Sequence, residues 1–286
     1  MKNITTRNTL LTYIIVCLWC WAPLAQLNAI PLWAIIADSG ESGEVAPPPA
    51  APYVPFVAKF DGIDDIITRT ATAPTGLSVD DKVLEIAFWL KLNGGDGTAV
   101  SIYRITAANN DLKLSLTKLQ DNTLRLYGAS PTNTTVLLMD TTTANPITTS
   151  LGWCHVYVYA NMANTAQRGI FINGAPVAIN VFNYVNAVID YVGTDYKYII
   201  GGPGASSSHL NGSLADFYFN DSVSTTISNF YNSGSPVNLG ANGEIPSGIS
   251  PVFYLSRTGN GSSWATNSGT GGNFTITGGG LATETF

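Results

Sequence analysis

Residues 152–177 read GWCHVYVYANMANTAQRGIFINGAPV, and the first half of that stretch decides the fold. Trp153, His155, Tyr157 and Tyr159 alternate with Cys154, Val156, Val158 and Ala160. Side chains on a strand point alternately to opposite faces, so this segment is a strand that is largely non-polar on both. Such a strand belongs inside a sheet, with one face in a core and the other under loops or in a groove. The polar run Asn161 to Arg168 leads to a second short strand, Gly169 to Ile172. Asn173-Gly174 follows, a pair that accepts positive φ at low cost and closes a tight hairpin onto Ala175 to Ile179.

The flanking sequence follows the same pattern. Phe56 to Phe60 is a short strand ending in the turn Asp61-Gly62. Lys82 to Leu92 places Ile86, Phe88, Leu90 and Leu92 on one face and Trp89 on the other. A turn cluster, Asn93 to Gly97, precedes a strand from Thr98 to Ile105. Leu112, Leu114 and Leu116 match Leu124 and Leu126 across the Asp121-Asn122 turn, which predicts an antiparallel hairpin. Thr134 to Asp140, Tyr196 to Ile200 and Gly212 to Asn220 add further strands. Ser224 is placed to cap one short helix reaching Asn232, with Ile227, Phe230 and Tyr231 on one face and Gly234 ending it. No crossover helices separate the strands. The predicted class is therefore all-β: an antiparallel two-sheet jelly-roll sandwich with one short C-terminal helix.

Composition narrows what such a chain does. Of its 286 residues only 11% are charged, against roughly 25% in average soluble domains. Net charge is −6 and no basic run occurs, which argues against nucleic acid, because phosphate contacts need clustered Lys and Arg. Lys2 and Arg7 precede the apolar run Leu10 to Trp21, which Pro23 breaks before the small residues Ala25 and Ala29. Residues 1–29 thus have the layout of a secretory signal. The alternative is a membrane anchor, since the uncharged region is long enough to span a bilayer. Residues 30–55 carry a Pro-rich linker with no core of its own. Cys17 and Cys20 would leave with a signal, so a mature chain keeps only Cys154, an apolar strand residue with no disulfide partner.

Six pieces, in this order, resemble the concanavalin-A-like lectin and glucanase superfamily, in particular its laminin-G-like and pentraxin-like branch. They are FDGIDD (60–65), EIAFWLKL (85–92), GWCHVYVY (152–159), GIFINGAPV (169–177), IIGG (199–202) and GSLADFYFN (212–220) with the ISNFYNSG segment after it. The branch typically has Trp-His-His-Val at the third piece; here Cys154 stands in the first His position. The resemblance covers about residues 56–239 and implies a sandwich whose first and last strands are adjacent. It implies little about activity, because this fold serves lectins, hydrolases, adhesins and structural modules alike. The Gly-rich tail, residues 240–286, is similar to tails on sandwich proteins of bacteriophage and marine bacteria, and reads as a strand-bearing extension.

Hydrolytic glucanases of this fold use paired glutamates on one strand, flanking the scissile bond. The five glutamates here are Glu41, Glu44, Glu85, Glu244 and Glu284, and Glu85 stands alone in a strand. No Gly-x-Ser-x-Gly elbow and no phosphate loop occurs. His155 reads as a hydrogen-bonded strand residue. Asp61, Asp64 and Asp65 form a candidate Ca²⁺ cluster, set against the plain alternative of a solvated turn. Tyr157 and Tyr159, with Tyr196 and Tyr198, are the candidate ligand-binding residues: on one concave face they would stack against sugar rings. The expectation is an exported, non-catalytic, lectin-like sandwich whose partner is a glycan or a surface protein, with self-association open. The alternative is a structural or decoration protein of a virion or surface assembly.

Overall fold

A computed structural model of the chain describes residues 52–71, 77, 79–203, 208–222, 225–256 and 261–286. The 1–29 segment, nearly all of the linker and the Ser224 cap lie outside them. Among the described residues eighteen strands, numbered β1 to β18 in chain order, make two large sheets and one small hairpin.

The first sheet runs β10 (Ala175–Pro176), β9 (Arg168–Ile172), β8 (Trp153–Asn161), β3 (Val83–Leu92), β13 (Asn211–Asn220), β1 (Val57–Asp61) and β18 (Ala282–Glu284). Beside β1, on the same edge of β13, lies β16 (Phe253–Leu255). The second sheet runs β11 (Ile179–Tyr184), β7 (Thr135–Thr141), β6 (Leu124–Ala129), β5 (Leu112–Lys118), β4 (Val100–Thr106), β12 (Tyr196–Ile200), β2 (Ile66–Ala71) and β17 (Thr275–Thr277). Adjacent strands pair antiparallel throughout.

The alternation in the sequence maps directly onto the layers. Cys154, Val156, Val158 and Ala160 face inward and join Ile86, Phe88 and Leu90 in the core, opposite Leu114, Leu116, Leu124 and Leu126 of the other sheet. Burial also raises the Cys154 thiol to about 12, so it acts as a small apolar side chain. Asn173 and Gly174 both take positive φ, 51° and 80°, and pair Ile172 with Ala175, as the hairpin reading requires. The strand after that hairpin does not continue beside β9, however. The chain leaves the first sheet, and β11 forms the edge of the second.

One phase slip organises the middle of the first sheet. In β13 the residues Asp216 and Phe217 both fall opposite Phe88, because the register moves between Ala215↔Trp89 and Tyr218↔Ala87. This bulge switches the inward face from Leu214 to Phe217 and Phe219. Asp216 takes a φ of 48°, which Asp tolerates better than most residues. Its carboxylate accepts from the Tyr53 hydroxyl at 2.8 Å and the Tyr254 hydroxyl at 3.3 Å. The bulge lies where the neighbour of β13 changes from β1 to β16, and Asp216 ties β16 and the segment leading into β1 to the central strand.

Two details differ from the sequence reading. Where a short helix was expected, a single 3-10 turn, Ile227–Asn229, is capped by Thr226. The hairpin β14 (Tyr231–Asn232) with β15 (Ser235–Pro236) follows it. Thr226, Ser228 and Asn229 bond to one another and to the backbone, the competition that disfavours a longer helix. The tail is woven into both sheets: β16 pairs with β13, β17 with β2 and β18 with β1.

Candidate functional site

A sandwich has two outer faces, and they are treated differently here. That of the first sheet carries Trp89, Trp153, His155, Tyr157, Tyr159 and Phe171. The chain from Thr225 to Tyr254 and the C-terminal residue cover it. Tyr157 is 1% exposed and packs with Ala87, Tyr218, Phe230, Leu239 and Tyr254. Its hydroxyl donates to Glu85 Oε1 at 2.7 Å, and Thr225 donates to the same oxygen. Burial raises the Glu85 carboxyl above its ordinary range, and the bonds from Thr225 and Tyr157 oppose that shift. His155 is also enclosed, against Trp89 and Tyr231, and burial pushes its pKa down to about 3. It is neutral near pH 7 and has no solvent access.

The expected tyrosine platform is therefore corrected. Tyr157 is buried and Tyr159 half-buried on the first sheet. Tyr196 and Tyr198 lie on β12 of the second sheet and point into the core between the layers. The Tyr198 hydroxyl donates to the Tyr191 carbonyl at 2.9 Å and that of Tyr196 to Asp190 Oδ2 at 2.8 Å. Strand alternation assigns residues to a face; it does not say which sheet the strand joins or whether later chain covers that face.

Asp61, Asp64 and Asp65 do come together, with ligand atoms within 4.8 Å of one another. Their oxygens are already engaged by backbone N–H groups. Asp61 Oδ1 accepts from Ile63 at 2.8 Å, Asp64 Oδ1 from Gly279 at 3.3 Å and Asp65 Oδ1 from Gly280 at 3.1 Å. The cluster thus fastens the turn after β1 to the loop between β17 and β18. The bond from Ile63 lowers the Asp61 pKa, whereas desolvation, ahead of the Asp61 charge, raises that of Asp65.

Among the described residues the outer face of the second sheet carries a groove, and register determines its content. Ile199 pairs with Thr68 of β2 and with Arg104 of β4. Lys197 likewise pairs with Thr70 and Thr106, and Arg104 with Ser115 of β5. Those residues share the outward parity, while Ile67, Tyr103, Ile105, Tyr198 and Ile200 take the inward one. The result is a groove of about 530 Å³ floored by Thr68, Thr70, Thr106 and Ile199, with Arg104 and Lys197 in it. A smaller cavity of about 190 Å³ continues past Arg104 along Ser115 and Thr117. The groove volume lies in the usual range of small-ligand sites, about 300–1,000 Å³. Sequence reasoning missed this site because β2 was not recognised; the alternation of Ile67 and Arg69 with Thr68 and Thr70 was the available signal.

No family model matches the chain, and no curated protein matches its sequence. Solved structures do match. A putative carbohydrate-binding protein from Bacteroides ovatus aligns with a TM-score of 0.54 at 12% identity, over 82% of this chain and 60% of that one. A heptameric SAP-like pentraxin from Limulus polyphemus aligns at 0.45 and 16%, over 72% and 93%. Mouse laminin α1 domains LG4-5 align at 0.40 and 18%, over 70% and 47%. The chain spans less than two thirds of the Bacteroides protein. At such identities the likeness is one of fold, and the 0.54 alignment carries it. The chain has a two-sheet antiparallel β-sandwich fold, which it shares with the Bacteroides protein.

Proposed function

We propose that this chain is an exported, non-catalytic, lectin-like sandwich that recognises a glycan in the groove on the outer face of the second sheet. The carrying observation is the groove over β2, β12 and β4, whose threonine hydroxyls and cationic side chains are the kinds of group that meet saccharide hydroxyls. The enclosed state of Glu85, held by Tyr157 and Thr225, supports a binding rather than a hydrolytic role. The test is a saccharide array read with the native chain and with Thr70→Trp, which fills the groove from an exposed position. Binding that the variant loses at unchanged melting temperature is expected. An array with no binder, or a variant that binds as well as the native chain, sinks the reading.

On the same reading a calcium ion would sit at Asp61, Asp64 and Asp65. A calcium-dependent rise in melting temperature that Asp61→Asn abolishes is its test; equal melting in calcium and in chelator removes the ion.

A second reading, a structural component of a virion or surface assembly, is favoured by the edge strand β11. Phe182 is 62% exposed there, with Val181 and nearby Val185 also exposed, and an open strand edge is a template for pairing with another chain. Locating the native protein, free or in purified particles, separates the two.

A further inference from the structure

We propose that the groove is a subsite for the anionic group of an acidic saccharide, a uronate carboxylate or a sulfate ester, held between Arg104 and Lys197. This rests on the lectin-like reading and narrows its ligand. The register makes the two residues diagonal neighbours on one face: Arg104 lies opposite Ile199 and Thr106 opposite Lys197. That spacing is about 7–8 Å between backbones, within reach of two long side chains converging on one group.

Among the described residues no carboxylate compensates their charges. Lys91, Lys113 and Arg125 each pair with a carboxylate, Glu284, Asp190 and Asp140 respectively. Among the described residues neither Arg104 nor Lys197 has an ion-pair partner, and neither cavity is lined by an Asp or a Glu. In a chain of net charge −6 this is a local reversal of sign. Arg104 is half-buried and its Nε, shielded from solvent, has no hydrogen-bond partner. Burial alone accounts for the lowered basicity of its guanidinium. A buried donor without an acceptor is costly, and an oxyanion with two adjacent oxygens, as in a carboxylate or a sulfate ester, is an acceptor that a guanidinium fork matches. Lys197 adds a point charge beside it. Thr68, Thr70 and Thr106 line the floor around the pair and can bond the hydroxyls of the same sugar. Two cations in a bounded groove suit one anionic group better than the repeated phosphates of a nucleic acid.

The test measures affinity for tetragalacturonate, a chondroitin sulfate hexasaccharide and neutral cellotetraose, using the native chain, Arg104→Gln, Lys197→Gln and Lys59→Gln. Lys59 is exposed on β1, away from the groove, and controls for general charge attraction. At least one acidic saccharide should bind more tightly than cellotetraose. Either groove substitution should weaken it about tenfold or more, as expected for a charge-assisted hydrogen bond. The control should leave it unchanged. Whether the carboxylate or the sulfate arm responds identifies the anion. Equal binding of acidic and neutral saccharides, or equal losses in all three variants, overturns the anion subsite and leaves the lectin reading standing. No binding of any saccharide overturns both. Should Arg104→Gln not fold, Lys197→Gln alone decides.

Discussion

The Tyr157 hydroxyl donates to Glu85 Oε1 at 2.7 Å, across two strands whose register sets Glu85 opposite Tyr159 and Tyr157 opposite Ala87. A residue chosen from sequence as a sugar platform is thus the hydrogen-bond donor to an enclosed carboxyl group. Tyr157→Phe should destabilise the chain by about 1–3 kcal/mol, because it withdraws a donor from a buried acceptor. Glu85→Gln keeps an acceptor oxygen without the charge and should cost less. Urea unfolding of both variants checks the order; the reverse order would mean that the charge, not the hydrogen bond, dominates there.

Asp216 gives a pH prediction. Burial raises its pKa to about 6, above the unfolded value of about 3.9. The folded state therefore binds the extra proton between those values. The stability from this group is fully present below about pH 4 and is lost as pH rises through about 6. The loss is on the order of 2–3 kcal/mol. Asp216→Asn accepts the same positive φ and cannot ionise, so its stability should fall less than that of the native chain between pH 4 and 7. Parallel pH profiles for the two proteins would contradict this.

At the other end of the covered face, the Phe286 ring stacks on Trp153 at 4.6 Å and meets Trp89 edge-on at 5.1 Å. Phe286→Ala should open both indoles to solvent, with stronger acrylamide quenching of their fluorescence. It should also cost about 1–3 kcal/mol, the scale of burying one large apolar side chain. Unchanged quenching would mean that the ring does not shield the tryptophans in solution.

Gly174 combines a φ of 80° with a close neighbour: a Cβ there would lie 2.5 Å from the Tyr231 ring. Gly174→Ala should destabilise the chain by more than the roughly 1 kcal/mol usually assigned to glycine's backbone freedom. A paired Gly174→Ala/Tyr231→Ala protein should recover part of that loss in thermal melts, since the clash is then gone. No recovery would place the whole cost in the backbone.

The layers were legible in the sequence because period-two alternation is a local property. Leu112, Leu114 and Leu116, or Cys154, Val156 and Val158, declare their face without any neighbour. Assignment of strands to sheets is a long-range property and was not legible. Tyr196 and Tyr198 look equivalent to Tyr157 and Tyr159 in isolation, yet they join a different sheet and face its core. The groove was hidden for the same reason. Arg104, Lys197 and Thr68 lie far apart in sequence, and only the β4–β12–β2 register brings them together. The Asp216 bulge left a faint local trace, since the apolar phase in Leu214-Ala215-Asp216-Phe217 slips by one.

The placement of β17 and β18 also dictates when the molecule can form. β1 lacks its outer neighbour until Ala282–Glu284 arrives, and β2 until Thr275–Thr277 does. On a ribosome both segments emerge after every other strand of their sheets, so neither sheet is complete until they do. Such distant pairings belong to the slow folding regime, milliseconds to seconds. A chain cut short at residue 270 would retain most of its apolar sequence and neither closing strand, and would be prone to aggregate rather than fold slightly less well.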